Sequence, residues 1–215
     1  MTRVRKKISN RLDQDVPAKQ FDFKVNSGGR LSKLEPEAFT QEQINRATEI
    51  AKSYNGKIDG PHSIWFRVPE LSKLAADFNT WIRLHGHLER RLFDLIVLII
   101  ARRHNAQFEW YVHERSAIRS GVSKEVVEDL RMGRKLKLIK HDEHLILKMV
   151  TDINEHHTLD LRTYKQALAF FGEELLIEII TDVGFYTMVA MMCNVFDAPL
   201  PEGEAPRLNI SKKFK

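Results

Sequence analysis

The chain has 215 residues, 43% hydrophobic and 29% charged, enough for one well-packed domain with extended arms. Its net charge of +5 sits largely at the ends, in Arg3, Arg5, Lys6 and Lys7 and in Lys212, Lys213 and Lys215, where basic tails are usually solvated; with no recognition motif beside it, this charge weighs against a nucleic-acid partner. One cysteine, Cys193, excludes an intrachain disulfide and a cysteine-based zinc site. The longest uninterrupted apolar run, Leu95 to Ala101, is far shorter than the roughly 20 residues a bilayer demands, and no apolar segment follows the basic N-terminus. The expectation is a cytoplasmic protein with no membrane partner.

Residues 1–38 are polar, contain Ser27-Gly28-Gly29 and show no sustained period; they read as a partly disordered arm or one that packs on a partner subunit. Thr40 with Gln43 three residues on has the capping-box spacing, and a helix is predicted from Gln41 to Tyr54, ended by Asn55-Gly56. Residues 56–67 read as a loop punctuated by Gly60-Pro61, with Trp65 and Phe66 apolar within it. Pro69 suits the first turn of a helix over 69–84. The segment from Leu88 to His104 is apolar on nearly every face and is predicted to be the central helix. Further helices follow over Gln107–Ser120, closed by Gly121, and from the cap Ser123 to Met132, closed by Gly133. Three more span Asp142–His156, Asp160–Phe171 with Gly172 as the stop, and Glu173–Phe196 before Pro199 and Pro201. No period-2 strand is evident, so the predicted class is all-α. A helical domain over 39–198 lies between the arm and a polar tail at 199–215.

Asp94 is anomalous, a carboxylate inside the most apolar helix. Burial there would be costly without a partner and would raise its pKa toward the range useful for proton transfer. On a solvated stripe near Arg90, Arg91 or Arg102 it would carry no such meaning. Glu109 and His113 are four apart, so they share a helix face, and a carboxylate beside an imidazole can set its tautomer. The tight turn between the two helices makes them antiparallel and brings Asp94 to the side of His113. His85 and His87, His141 and His144, and His156-His157 form no HExxH pattern or convergent set, so no metal site and no cofactor are expected. Cys193, among apolar residues with no basic neighbour, reads as a small core residue.

The stretch Gly60 to Gly133 resembles the carboxymuconolactone decarboxylase and alkyl hydroperoxidase D group. The resemblance is carried by Gly60-Pro61, Pro69-Glu70-Leu71, the apolar helix with Asp94, the run Phe108-Glu109-Trp110-Tyr111-Val112-His113, Ala117 and Gly121-Val122-Ser123. The later run Tyr164 to Phe196, with Gly184-Phe185-Tyr186, resembles longer members. In the peroxidase branch a helix glutamate precedes a CxxC pair, with a histidine four residues after the second cysteine. Asp94 and His113 keep the acid-to-histidine spacing of 19, whereas the two cysteine positions fall on Ala106 and Glu109. The resemblance is thus to the non-redox branch, and it implies an oligomeric helical bundle (dimer, trimer or hexamer) acting without metal or organic cofactor. The implied activity is that of a decarboxylase or lyase on a small organic acid or lactone. In this reading His113 transfers a proton, Glu109 orients or assists it and Asp94 is a second acid or base. Arg83 or Arg91 would hold a substrate carboxylate, and Trp65 and Trp110 would wall the pocket. Two alternatives stand beside it: a peroxidase-class protein using Cys193, and a non-catalytic binding protein on the same scaffold.

Overall fold

The computed structural model describes residues 24–25, 29–53, 57–137 and 140–210. Eight α-helices account for most of them: α1 (Gln41–Ser53), α2 (Gly60–Trp65), α3 (Pro69–Leu84), α4 (Arg90–Arg103), α5 (Gln107–Ser120), α6 (Lys124–Met132), α7 (His141–His156) and α8 (Leu161–Val195). The all-α class predicted from the chain is the one observed, and most boundaries agree to within two residues.

The helix ends follow from local chemistry. Thr40 and Gln43 form the reciprocal capping box, with Thr40 N–H donating to Gln43 Oε1 at 3.0 Å and Gln43 N–H to Thr40 Oγ1 at 3.3 Å. The end of α1 around Asn55-Gly56 and residues 1–23 and 26–28 of the 1–38 arm lie outside the described residues. Ser123 and Asp160 accept the N–H groups of Val126 and Thr163 at the starts of α6 and α8. Gly121 and Gly133 end α5 and α6 in the left-handed conformation.

One expectation is corrected and three details are added. Residues 60–65, predicted as loop, form the short and wholly buried α2, because Gly60-Pro61 starts a helix here instead of punctuating a turn. A two-residue parallel pair exists: β1 (Lys24–Val25) aligns with β2 (Lys57–Ile58), too short to show a period. The two predicted C-terminal helices abut as α8, broken at Gly172 (φ 76°, ψ 173°). The polar tail is docked: Leu208 is buried, Gln107 Oε1 accepts the N–H groups of Arg207 and Leu208 at 3.0 Å, and Arg102 Nη1 donates to the Asn209 carbonyl at 2.9 Å.

α4 is the axis of the fold, packed by α5, α6, α7 and α8. Leu95 to Ala101 are at most 1% exposed. Each large side chain in that run contributes about 1.5–3 kcal/mol by burial, which explains an apolar helix without a polar stripe. α8 is the one described helix long and apolar enough to cross a membrane by length and composition, and half of its most apolar 18-residue window is buried against the rest of the protein. Exposed apolar side chains remain in rows on α3 (Leu71, Leu74, Phe78, Trp81) and on α8 (Ile177, Ile180, Met188, Met191).

Gly60 ties the fold to the site. Its φ is +50°, and a β-carbon there would lie 2.0 Å from the Phe108 ring. Gly60→Ala should therefore cost about 2–4 kcal/mol, the sum of left-handed strain and overpacking. The midpoint of chemical denaturation checks this; an unchanged midpoint would show that the start of α2 relaxes freely.

Candidate active site

Four helices enclose a cavity of about 120 Å³. α2 supplies Pro61, His62 and Trp65, α3 supplies Asn79 and Arg83, α5 supplies Phe108, Glu109, Val112 and His113, and α8 supplies Phe185, Tyr186 and Val189, with Asp59 at the edge. An apolar cavity of about 150 Å³ holds benzene, so this space suits a small organic molecule.

The i, i+4 spacing on α5 aims Glu109 and His113 into the cavity, with Glu109 Oε2 4.0 Å from His113 Nε2. Behind the imidazole, on α4, Asp94 Oδ1 lies 3.3 Å from His113 Nδ1. Asp94 is fully buried and does not line the cavity. Its Oδ2 accepts from Arg90 Nε and from Ser116 Oγ, each at 3.0 Å. The helix anomaly is resolved: the carboxylate is buried, and three donors satisfy it. Phe93 and Tyr186 meet the imidazole edge-on, with centroids at 5.9 and 5.4 Å.

These surroundings separate the titrations. Burial alone would raise the Asp94 carboxyl, but hydrogen bonds from His113 and Arg90 outweigh it and hold Asp94 below the usual carboxylate range. Burial pushes His113 down, against the opposing pull of Asp94, which favours the neutral ring. With Nδ1–H donated to Asp94, the Nε2 lone pair faces the cavity. Glu109 is pushed up to about 7, chiefly by burial and further by the charge of Asp59. His62 is pushed down to about 4 by burial and by the charges of Arg46 and Arg83, so it is neutral near pH 7. A base and an acid thus stand side by side at neutral pH.

Of the residues singled out for substrate binding, Arg83 and Trp65 line the cavity, and Arg83 has no ion-pair partner among the described residues. Arg91 and Trp110 do not. The Arg91 guanidinium turns away to Glu89, Asp142 and Glu143, at 3.1, 2.5 and 2.6 Å, where three carboxylates offset its burial. Trp110 is on the opposite face of α5 from the cavity walls, wholly buried in the core. His62, Asn79 and Tyr186 were not identified from the chain as site residues; Tyr186 donates to Asn79 Oδ1 at 3.2 Å. The only sequence signal for His62 and Tyr186 is position, in the Gly60-Pro61-His62 and Gly184-Phe185-Tyr186 runs, and Asn79 has none. Among the described residues no three His, Cys, Asp or Glu side chains are placed to hold a metal ion.

The architecture is that of the alkyl hydroperoxidase D-like helical proteins, with one cysteine and no CxxC pair. A peroxidase-related protein from Silicibacter sp. TM1040, itself uncharacterized, shares the fold at a TM-score of 0.67 and 11% identity, covering 82% of this chain and 93% of its own. An uncharacterized peroxidase-related protein with an alkylhydroperoxidase AhpD core, from Ralstonia eutropha JMP134, gives 0.66 and 13%, covering 81% and 93%. A protein of unknown function from Agrobacterium tumefaciens, whose name associates it with AhpD antioxidant defence, gives 0.56 and 21%, covering 64% and 94%. No family model matches the sequence, and no curated protein matches it.

Proposed function

We propose that this protein is a cofactor-independent acid–base enzyme, of decarboxylase or lyase type, acting on a small organic acid or lactone. The observation that carries this reading is the geometry: His113 Nε2 and the Glu109 carboxyl, which burial pushes up to about 7, face each other at 4.0 Å in one cavity. Arg83 supplies a cation for a retained substrate carboxylate, while Trp65, Phe108 and Phe185 enclose the apolar body. When a C–C bond to a departing carboxylate breaks, its electron pair stays on the substrate and one proton must be delivered there. Glu109 in its acid form holds that proton, and His113 Nε2 accepts one from substrate or solvent to return it. Asp94, behind the ring, orients it and stabilises the imidazolium.

The names of the structural neighbours favour a second reading, a thiol peroxidase. Against it, Ala106 and Glu109 occupy the positions of the paired thiols, and burial together with Glu109 pushes the Cys193 thiol above the ordinary thiol range, away from the reactive thiolate.

The pH profile separates the two. Because the acid form of Glu109 is required, kcat/KM on small carboxylic acids should fall as pH rises through about 7. It should also fall on the acid side, below the usual histidine range, where His113 protonates. Stability carries the same signature. A carboxyl raised from 4.5 to about 7 stabilises the fold below pH 4.5, and that contribution is lost between 4.5 and 7. Glu109→Gln should remove both the high-pH limb and this slope. A Glu109→Gln variant that keeps the wild-type profile rules out Glu109 as the acid, and hydroperoxide turnover abolished by Cys193→Ser would favour the peroxidase reading.

A further inference from the structure

Glu109 has two oxygens with different neighbours. Oε2 faces His113 Nε2 at 4.0 Å, and Oε1 lies 3.7 Å from the Sγ of Cys193, which reaches it from α8. Both residues are buried, at 4% and 3% exposure. Among the described residues the thiol is the one hydrogen-bond donor to this carboxyl. Tyr186, the other polar α8 side chain at the cavity, spends its hydroxyl proton on Asn79.

We propose that Cys193 is a positioning residue for Glu109: its S–H donates to Oε1 and so fixes the carboxyl with Oε2 turned to His113 and the cavity. This rests on the reading of Glu109 as the acid of the site. A glutamate with no donor could swing its carboxyl through the open space in front of His113. One weak donor on the far oxygen removes that freedom and leaves the near oxygen to carry the proton. The groups facing Glu109 act in opposite directions. From before α2, Asp59 disfavours its ionised form by charge, while the thiol on α8 favours it. His62 on α2 is neutral near pH 7. His113 lies one turn on along α5, itself held by Asp94 on α4. Tyr186 lines the cavity from α8, two turns before the thiol, and Arg83 reaches it from α3. The thiol therefore acts without ever becoming a thiolate, the reverse of its use in a peroxidase.

Cys193 is the only cysteine, so the S–H stretching band of the intact protein comes from one site. Followed by infrared or Raman spectroscopy, the band should move to lower frequency as pH rises through the Glu109 titration, and should stay fixed in Glu109→Gln. In Cys193→Ala the Glu109 titration, followed by carbon-detected NMR, should shift upward by about half a unit to one unit, whereas Cys193→Ser should keep it at or below the wild-type value. Where turnover is measured, the high-pH limb of kcat/KM should move with it. A band indifferent to both pH and Glu109→Gln overturns the proposal, as do Ala and Ser variants that titrate alike. The band is read on wild-type protein, so a Cys193→Ala chain that does not fold leaves the test intact. A responsive band in a protein without turnover on organic acids would instead sink the acid–base reading and leave the contact standing.

Discussion

Replacing His113 with alanine should lower kcat on a small-acid substrate by about 10²–10⁴ while the protein stays folded. The expectation follows from what each ring nitrogen does. Nδ1 is committed to Asp94 at 3.3 Å, so Nε2 is the lone pair that faces the cavity and Glu109. No other described imidazole can replace it: His62 lines the same cavity but is pushed down to about 4, too weak a base for the task at neutral pH. The fold should tolerate the change because Asp94 keeps Arg90 and Ser116 as partners. Steady-state kinetics with a thermal-unfolding control reads both quantities. A folded His113→Ala protein with undiminished turnover would remove the imidazole from the chemistry.

Arg91→Met should destabilise the protein by about 3–5 kcal/mol, the cost of leaving buried charge unpaired. The guanidinium is 4% exposed and joins the start of α4 to the start of α7 through Asp142 and Glu143, whose own exposures are low. Without it, Glu143 stays in the interior with no cation. A loss of this size is a large fraction of the 5–15 kcal/mol typical of a domain. Adding Glu143→Gln to Arg91→Met should restore part of the loss, since the orphaned charge goes with it. Urea denaturation measures both. Because Arg91 lies outside the cavity, kcat/KM of the folded Arg91→Met protein should match the wild type. An unshifted midpoint would mean that the cluster is solvated in solution.

The same two residues show what could be read from the chain. His113 and Glu109 were legible because helical periodicity alone puts positions four apart on one face. Asp94 was legible because an acid inside an apolar run demands partners. Their placement was not: the chain suggests Asp94 as a second acid or base and Glu109 as a residue that orients or assists His113, and the structure puts Asp94 behind the ring and Glu109 in the cavity. Which residue faces the space depends on how α4 and α5 are rotated against each other. Arg91 and Trp110 were misplaced for the same reason, being close in sequence to site residues but on other helix faces. His62, Asn79 and Tyr186 come from three further helices, and nothing local marks them as converging. Apart from α2, the helices among the described residues were visible through caps and glycines. The docked tail was not, because it is held by Gln107 and Arg102, about 100 residues away, and not by any pattern of its own.

Glu109 and His113 share one rigid rod, so the separation of their backbones is fixed by helical pitch and owes nothing to loop or hinge movement. A single residue inserted between them would swing the carboxyl about 100° around the α5 axis, out of the cavity and into the packed interior. The register of the two backbones therefore tolerates drift in what surrounds α5, while the count of residues within that one turn admits none.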